Sequence, residues 1–246
     1  AAPQAEIERI DSAGLTGTAL IGEGAVLRAA GGSVAIDASR DSVSSGTLEV
    51  PDGSLRLGSS RISLGDVVGS PGGLVLTDAQ LQQLGASQLI LDSRSSIDVY
   101  GSASFSVPEL RLISAGVFAR TDDASFEVDA SHSVELSNLG GVAAPVAAAG
   151  TGRLAIRTAQ LELGAGEFSI AGFASTDLAT TGDVISRADG ATRIAGNLAL
   201  AANRVTSFAG VTRRIDATGN VVLSRAATSA AIADTDLETR LGAVLT

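Results

Sequence analysis

The sequence predicts an all-β chain wound as a right-handed parallel β-helix, with about 20–24 residues per coil and one short helical excursion. Three observations lead there. Apolar residues alternate strictly in short runs, the runs recur at a fixed beat, and polar corners rich in Gly, Asp, Asn and Ser separate them.

The alternating pairs, in chain order, begin with Val34/Ile36, Leu48/Val50, Leu55/Leu57, Leu89/Leu91 and Ile97/Val99. Phe105/Val107, Leu110/Leu112, Phe126/Val128, Val134/Leu136, Leu154/Ile156 and Leu161/Leu163 continue the series, and Phe168/Ile170, Leu198/Leu200 and Val221/Leu223 complete it. Each pair brackets one residue, often polar, which is the period-2 pattern of a half-buried strand. From Leu154 to Leu161 to Phe168 the step is seven residues each time. Leu89, Leu110, Val134 and Leu154 are separated by 21, 24 and 20, and Leu198 leads to Val221 after 23. Three strands of about seven residues therefore make one coil, and the whole chain would make about eleven coils in a rod on the order of 50 Å long.

Corners are expected at Asp52-Gly53, Gly101-Ser102, Asp122-Asp123, Gly164-Ala165-Gly166, Asp189-Gly190, Gly196-Asn197 and Gly219-Asn220. Gly and Asn accept the backbone angles that sharp corners need. A leucine-rich repeat would require an Asn ladder and a helical half-repeat, and neither occurs. A β-sandwich would show a similar number of strands, but longer ones with more aromatic cores; aromatics are 3% here.

Two segments break the beat within a single rod spanning 1–246. Residues 77–85 read as a two-turn helix: Thr77 and Gln80 form a capping box, Leu81 and Leu84 share a face, and Gly85 suits the stop. This helix is expected on the side or end of the rod. Residues 140–152, an Ala/Gly/Pro tract without alternation, read as an excursion loop, and 227–241 as partly helical.

Composition excludes several kinds of function. The 246 residues carry a net charge of −10, and all 17 basic residues are Arg. Such a chain repels phosphate backbones and anionic lipid, so no nucleic-acid partner is expected. With no Cys there are no disulfides and no thiolate chemistry. Mean hydropathy is +0.31. Yet the longest stretch free of polar residues and Gly, Val142 to Ala149, is far too short to span a bilayer, so no membrane insertion is expected and the chain should be soluble. The Ala1-Ala2-Pro3 start, with neither initiator Met nor signal-like regions, reads as a processed product or an excised segment.

The segments Gly196-Asn197-Leu198-Ala199-Leu200-Ala201-Ala202-Asn203-Arg204-Val205 and Ile215-Asp216-Ala217-Thr218-Gly219-Asn220-Val221-Val222-Leu223 resemble the degenerate repeat of filamentous haemagglutinin-like exoproteins, the passengers of two-partner secretion. There, a Gly-Asn corner precedes an alternating strand and a polar turn. The stretch from Leu76 to Leu91 is similar to segments of long family members, and the resemblance covers roughly residues 24 to 225. The Asn-Pro-Asn-Gly type signature of the family's secretion domain does not occur in the sequence. The resemblance thus implies an internal piece of a longer rod, secreted or displayed on a bacterial surface. It implies as partners the rest of that chain or a second copy end to end, and host or bacterial surface glycans or proteins.

Catalytic candidates are few. Parallel β-helices also cleave polysaccharides, which requires two carboxylates across a cleft. Asp122-Asp123 with His132 resembles the paired Asp and His of pectin hydrolases, but the later Arg-x-Lys cannot occur without Lys. A solvated turn is the expectation for the Asp pair. His132 is the only histidine and cannot form an imidazole metal site alone. Asp234-Thr235-Asp236 is too little for a calcium loop. Gly69-Ser70-Pro71-Gly72-Gly73 leads into the strand-like Leu74-Val75-Leu76 and reads as a plain turn, not an anion cradle. With no Trp and only Tyr100, a stacking platform for sugars is scarcely available. The expectation is a structural, non-enzymatic segment without catalytic, metal or cofactor sites, a rod or stalk serving adhesion or filament formation. A polysaccharide-cleaving β-helix is the alternative.

Overall fold

The computed structural model describes residues 17–226; the readings at Ala1–Pro3, 227–241 and Asp234–Asp236 lie outside them. Every strand pairing among the described residues is parallel, so the chain is a β-solenoid of about nine turns and not a sandwich. The first coil comprises β1 (Thr18–Ile21), β2 (Val26–Arg28) and β3 (Ser33–Asp37), and the second β4 (Asp41–Ser44), β5 (Thr47–Glu49) and β6 (Ser54–Ser59). The third holds β7 (Ile62–Gly65), β8 (Leu74–Leu76), helix α1 (Asp78–Gln83) and β9 (Gln88–Ser93). Then come β10 (Ile97–Tyr100) with β11 (Ser102–Ile113), β12 (Gly116–Ala119) with β13 (Ser125–Ser137), and β14 (Arg153–Leu163). The last three coils are β15 (Gly166–Ala171), β16 (Ser175–Thr180) and β17 (Asp183–Ser186); β18 (Gly190–Ile194), β19 (Asn197–Ala202) and β20 (Arg204–Ser207); and β21 (Arg213–Ala217) with β22 (Val221–Arg225).

Three faces run along the axis. The first is a nine-stranded sheet in the order β1-β4-β8-β7-β10-β12-β15-β18-β21. The second begins with β2 and β5, and the third with β3, β6 and β9. In β11, β13 and β14 one long strand serves both of these faces, bending where the register slips after Val107 and after Ala130. Strands of about seven residues are therefore not the rule: these three run to 12, 13 and 11 residues. Past them the two faces separate again, β14 being followed by β16, β19 and β22 on one and by β17 and β20 on the other.

The interior is columns of like residues. Leu55 lies opposite Leu89, Leu89 opposite Leu110, Leu110 opposite Val134 and Val134 opposite Leu161. All five are at most 1% exposed. One expected register is wrong: Leu154 stacks on Phe126, not on Val134. The excursion before β14 lengthens that coil, and Leu154 and Leu161 belong to one strand and not to successive ones.

The helix also differs from expectation in place, though not in kind. Thr77 Oγ1 accepts from Gln80 N–H at 3.2 Å, the Gln80 side chain accepts from Thr77 N–H at 2.9 Å, and Gly85 follows with φ +62°. It does not sit on the rod's side or end. It replaces a strand of the second face, packed between β5 and β11, with Leu81 and Leu84 in the core. Asp78 Oδ1 accepts from Ser104 N–H of β11 at 2.6 Å, satisfying a donor that a missing strand would have left open.

The first face contains one irregularity and its correction. The chain enters at β7, returns through residues 66–73, and lays β8 between β4 and β7. That adds one level. Gly73 N–H donates to Asp41 Oδ1 at 2.8 Å as the chain comes back, and this bond, with Arg40 beside it, holds the Asp41 carboxyl below its usual range. Residues 138–152 then cross from β13 to β14 without contributing a strand, and β12 pairs directly with β15. One level gained is one level lost, and the faces finish in step.

Two arginines reach past an intervening coil, each over a glycine. Arg94 donates to Asp37 Oδ1 at 2.8 Å and Ala38 O at 2.9 Å, with Gly58 in register between Asp37 and Asp92. Arg213 donates to Gly164 O and Ala191 O, and at 2.9 Å to Thr192 Oγ1. No ion pair includes Arg213 among the described residues, and burial pulls its guanidinium down to about 10. Gly190, at φ +150°, leaves room: a Cβ there would lie 2.1 Å from Gly166 O and 2.7 Å from Arg213 Nη1.

Two stability outcomes are expected. Leu112→Ala should lower the unfolding free energy by about 2–5 kcal/mol, read as a fall in urea midpoint, because its site is sealed above and below. Gly190→Ala should cost about 1–3 kcal/mol through overpacking, whereas Gly22→Ala, with nothing within 4 Å of its added Cβ and no positive φ, should cost less. Equal losses at both glycines would contradict the packing described.

Candidate functional site

On a plain solenoid the outward residues of each strand face water. The first face departs from this. In β10 and β12 the inward residues are Ile97, Val99, Val117 and Ala119, so Asp98 and Phe118 point outward, in register with each other. Both are only 1% exposed, and Ser63, the outward neighbour of Asp98 on β7, is 0% exposed. The flank is roofed.

Arginines and the two irregular segments are placed over it. Arg120 Nη2 donates to Asp98 Oδ1 at 2.9 Å, and its guanidinium carbon lies 5.6 Å from the centre of the Phe118 ring. Arg120 Nη1 donates to Val146 O of the 138–152 strap at 3.4 Å. From the other side, Arg61 Nε lies 3.7 Å from Asp98 Oδ2, while Arg61 Nη1 donates to Pro71 O of the 66–73 loop at 3.3 Å. Asp98 is thus a charge partner with each oxygen facing a different cation, and not an open base. Ser63 Oγ has no hydrogen-bond partner among the described residues.

The strap is fixed at its two ends. Asn138 Nδ2 donates to Val142 O and to Glu167 O, both at 2.8 Å. At the far end Thr151 N–H and Gly152 N–H donate to Asp122 O at 2.7 and 3.0 Å. Asp122 and Asp123 are exposed on a turn, as the sequence suggests, and the role visible for Asp122 is to receive the returning chain.

His132 is exposed within β13, in the two-residue slip between Ala130 and Ser133, and so does not merely flank a strand. Beside this slip runs a shallow groove of about 610 Å³, lined by small side chains such as Ala130, Ala159, Ala179 and Ala201. The Asp129–Arg157 ion pair, 3.4 Å, lies on its wall. The Gly69–Gly73 stretch is the loop leading into β8. Tyr100 is half-buried at the end of β10. No group of three or more His, Cys, Asp or Glu side chains able to hold a metal ion exists among the described residues. Nor is any helix among them long and apolar enough to cross a membrane.

Sequence reading missed the roofed flank. A signal was available: alternation through Val117-Phe118-Ala119 puts a phenyl ring on the outward phase, and an outward Phe needs cover. Which segment supplies the cover depends on spatial stacking.

Comparison with family models, with curated proteins and with solved structures gives no match.

Asp123→Asn and His132→Ala, both at exposed positions, should each change the urea midpoint by no more than about 0.5 kcal/mol of stability. A larger loss at either would mean that the residue is engaged in something the geometry lacks.

Proposed function

We propose that the chain is a structural β-helical segment of a large secreted or cell-surface exoprotein of the filamentous haemagglutinin type, a rod or stalk contributing to adhesion or filament formation. The observation that carries this reading is the continuous axial stacking. Strands stack in parallel register from β3 to β22, and each coil bonds mainly to its neighbours, so length can be added without altering the cross-section. A rod built this way sets distance, the quantity a stalk supplies.

The end coils support association with more of the same architecture. Leu20 is 72% and Val26 60% exposed at one end, and Val221, Val222 and Leu223 are 52–60% exposed at the other. Among the described residues no strand pairs with the outer edges of β1 or β22, and strand edges carrying apolar side chains are templates for further pairing. The partner is the remainder of a longer chain or a second copy end to end. Lateral attachment to surface glycans or proteins would use the excursions, where Leu139 and Val146 stand out from the rod.

Incubation with a panel of bacterial and host polysaccharides, following retention and product length, tests this reading against the polysaccharide-cleaving alternative. Retention or indifference is expected; shortened chains would overturn it. Sedimentation at rising concentration should show linear oligomers, and a strictly monomeric profile would count against end-to-end association. Deleting residues 176–197 removes one register step, since Thr176 lies opposite Leu198. The product should keep its β spectrum and shorten by about 5 Å, read by small-angle scattering.

A further inference from the structure

The loop 66–73 and the strap 138–152 are distant in sequence, yet they meet at one carboxylate. We propose that Asp98 is a latch coupling these two excursions, so that loosening one loosens the other.

Each excursion is held in mid-span by a single guanidinium. Between residues 143 and 149, among the described residues, the Val146 carbonyl is the one backbone group hydrogen-bonded to the rod, and its donor is Arg120. Between 68 and 72 the same is true of the Pro71 carbonyl, whose donor is Arg61. Both guanidiniums converge on Asp98, whose side chain is 2% exposed. A carboxylate withdrawn from water depends on both cations, and each cation is oriented by it. When Arg120 swings away with the strap, the charge it balanced falls to Arg61 alone. Arg61 then moves fully onto Asp98 and gives up Pro71. The reverse holds when the loop is pulled. A partner that engages one excursion would thereby change the exposure of the other and uncover the Phe118 flank.

The absence of native cysteine makes the test direct. Val68→Cys and Val146→Cys, at positions 91% and 93% exposed, each give one site for a nitroxide label, and Val222→Cys on β22 serves as a distant control. Arg120→Gln and Arg61→Gln are then introduced separately, and label mobility is read by electron paramagnetic resonance. The latch requires that Arg120→Gln raise the mobile-to-immobile ratio at position 68 as well as 146, on the order of tenfold. Arg61→Gln should likewise act at position 146. Position 222 should not change. Mobilisation confined to each arginine's own excursion, or no mobilisation at all, would overturn the latch, and so would equal mobilisation at position 222. If Arg120→Gln does not fold, Arg120→Lys retains a cation but lacks the planar fork by which Arg120 donates to Asp98 from one nitrogen and to Val146 from another, and the same readings apply.

Discussion

The structure depends on the parallel ladder between successive coils. Hydrogen bonding fixes the axial step at about 4.8 Å, so a residue can be buried only if the residue one coil above or below leaves it room. Everything else follows from that restriction. Along the third face the interior is Leu on Leu and Val on Leu because branched aliphatic side chains stack at this step without gaps. On the second face Phe126 lies between Ala103 and Leu154, with Phe105 packed edge-on at 6.0 Å.

The same restriction makes irregularities costly unless they balance. A level added to one face tilts the stack unless a level is removed from that face later. The loop before β8 adds one, and the strap before β14 omits one. Between them the first face runs ahead of the other two, and it is there that Asp98 and Phe118 are covered. The roofed flank and the departure from regular coiling are one event seen from two sides.

Charge acts mainly along the axis. Of the thirteen ion pairs among the described residues, all but Arg40–Asp41 and Arg214–Asp216 join different coils. Exposed pairs of this kind contribute little singly, about 0–1 kcal/mol. They do penalise a slip of register, which would set like charges over like. Glu135 and Glu162 already stack in register, and Arg111 below and Arg187 above compensate them. Contact with Glu162 and the field of Glu135 raise the Arg187 guanidinium above its usual value.

Much of the architecture was legible because it is local. Alternation in Leu110-Arg111-Leu112, the Gly-Asn corner at Gly196-Asn197, and the Thr77–Gln80 capping box are each decided within a few residues, by backbone sterics and side-chain reach. The repeat length could be read wherever coils are regular. What the sequence could not decide is which strand lies over which once a coil is lengthened. Leu154 belongs over Phe126 and not over Val134, α1 fills a strand's place, and Asp98 is buried where alternation predicts exposure. Those outcomes rest on contacts between residues one to two coils apart in the chain, whose energies are summed only when the faces close together. The amino-acid sequence determined the coil; the tertiary structure decided the levels, because only the assembled faces must rise in step.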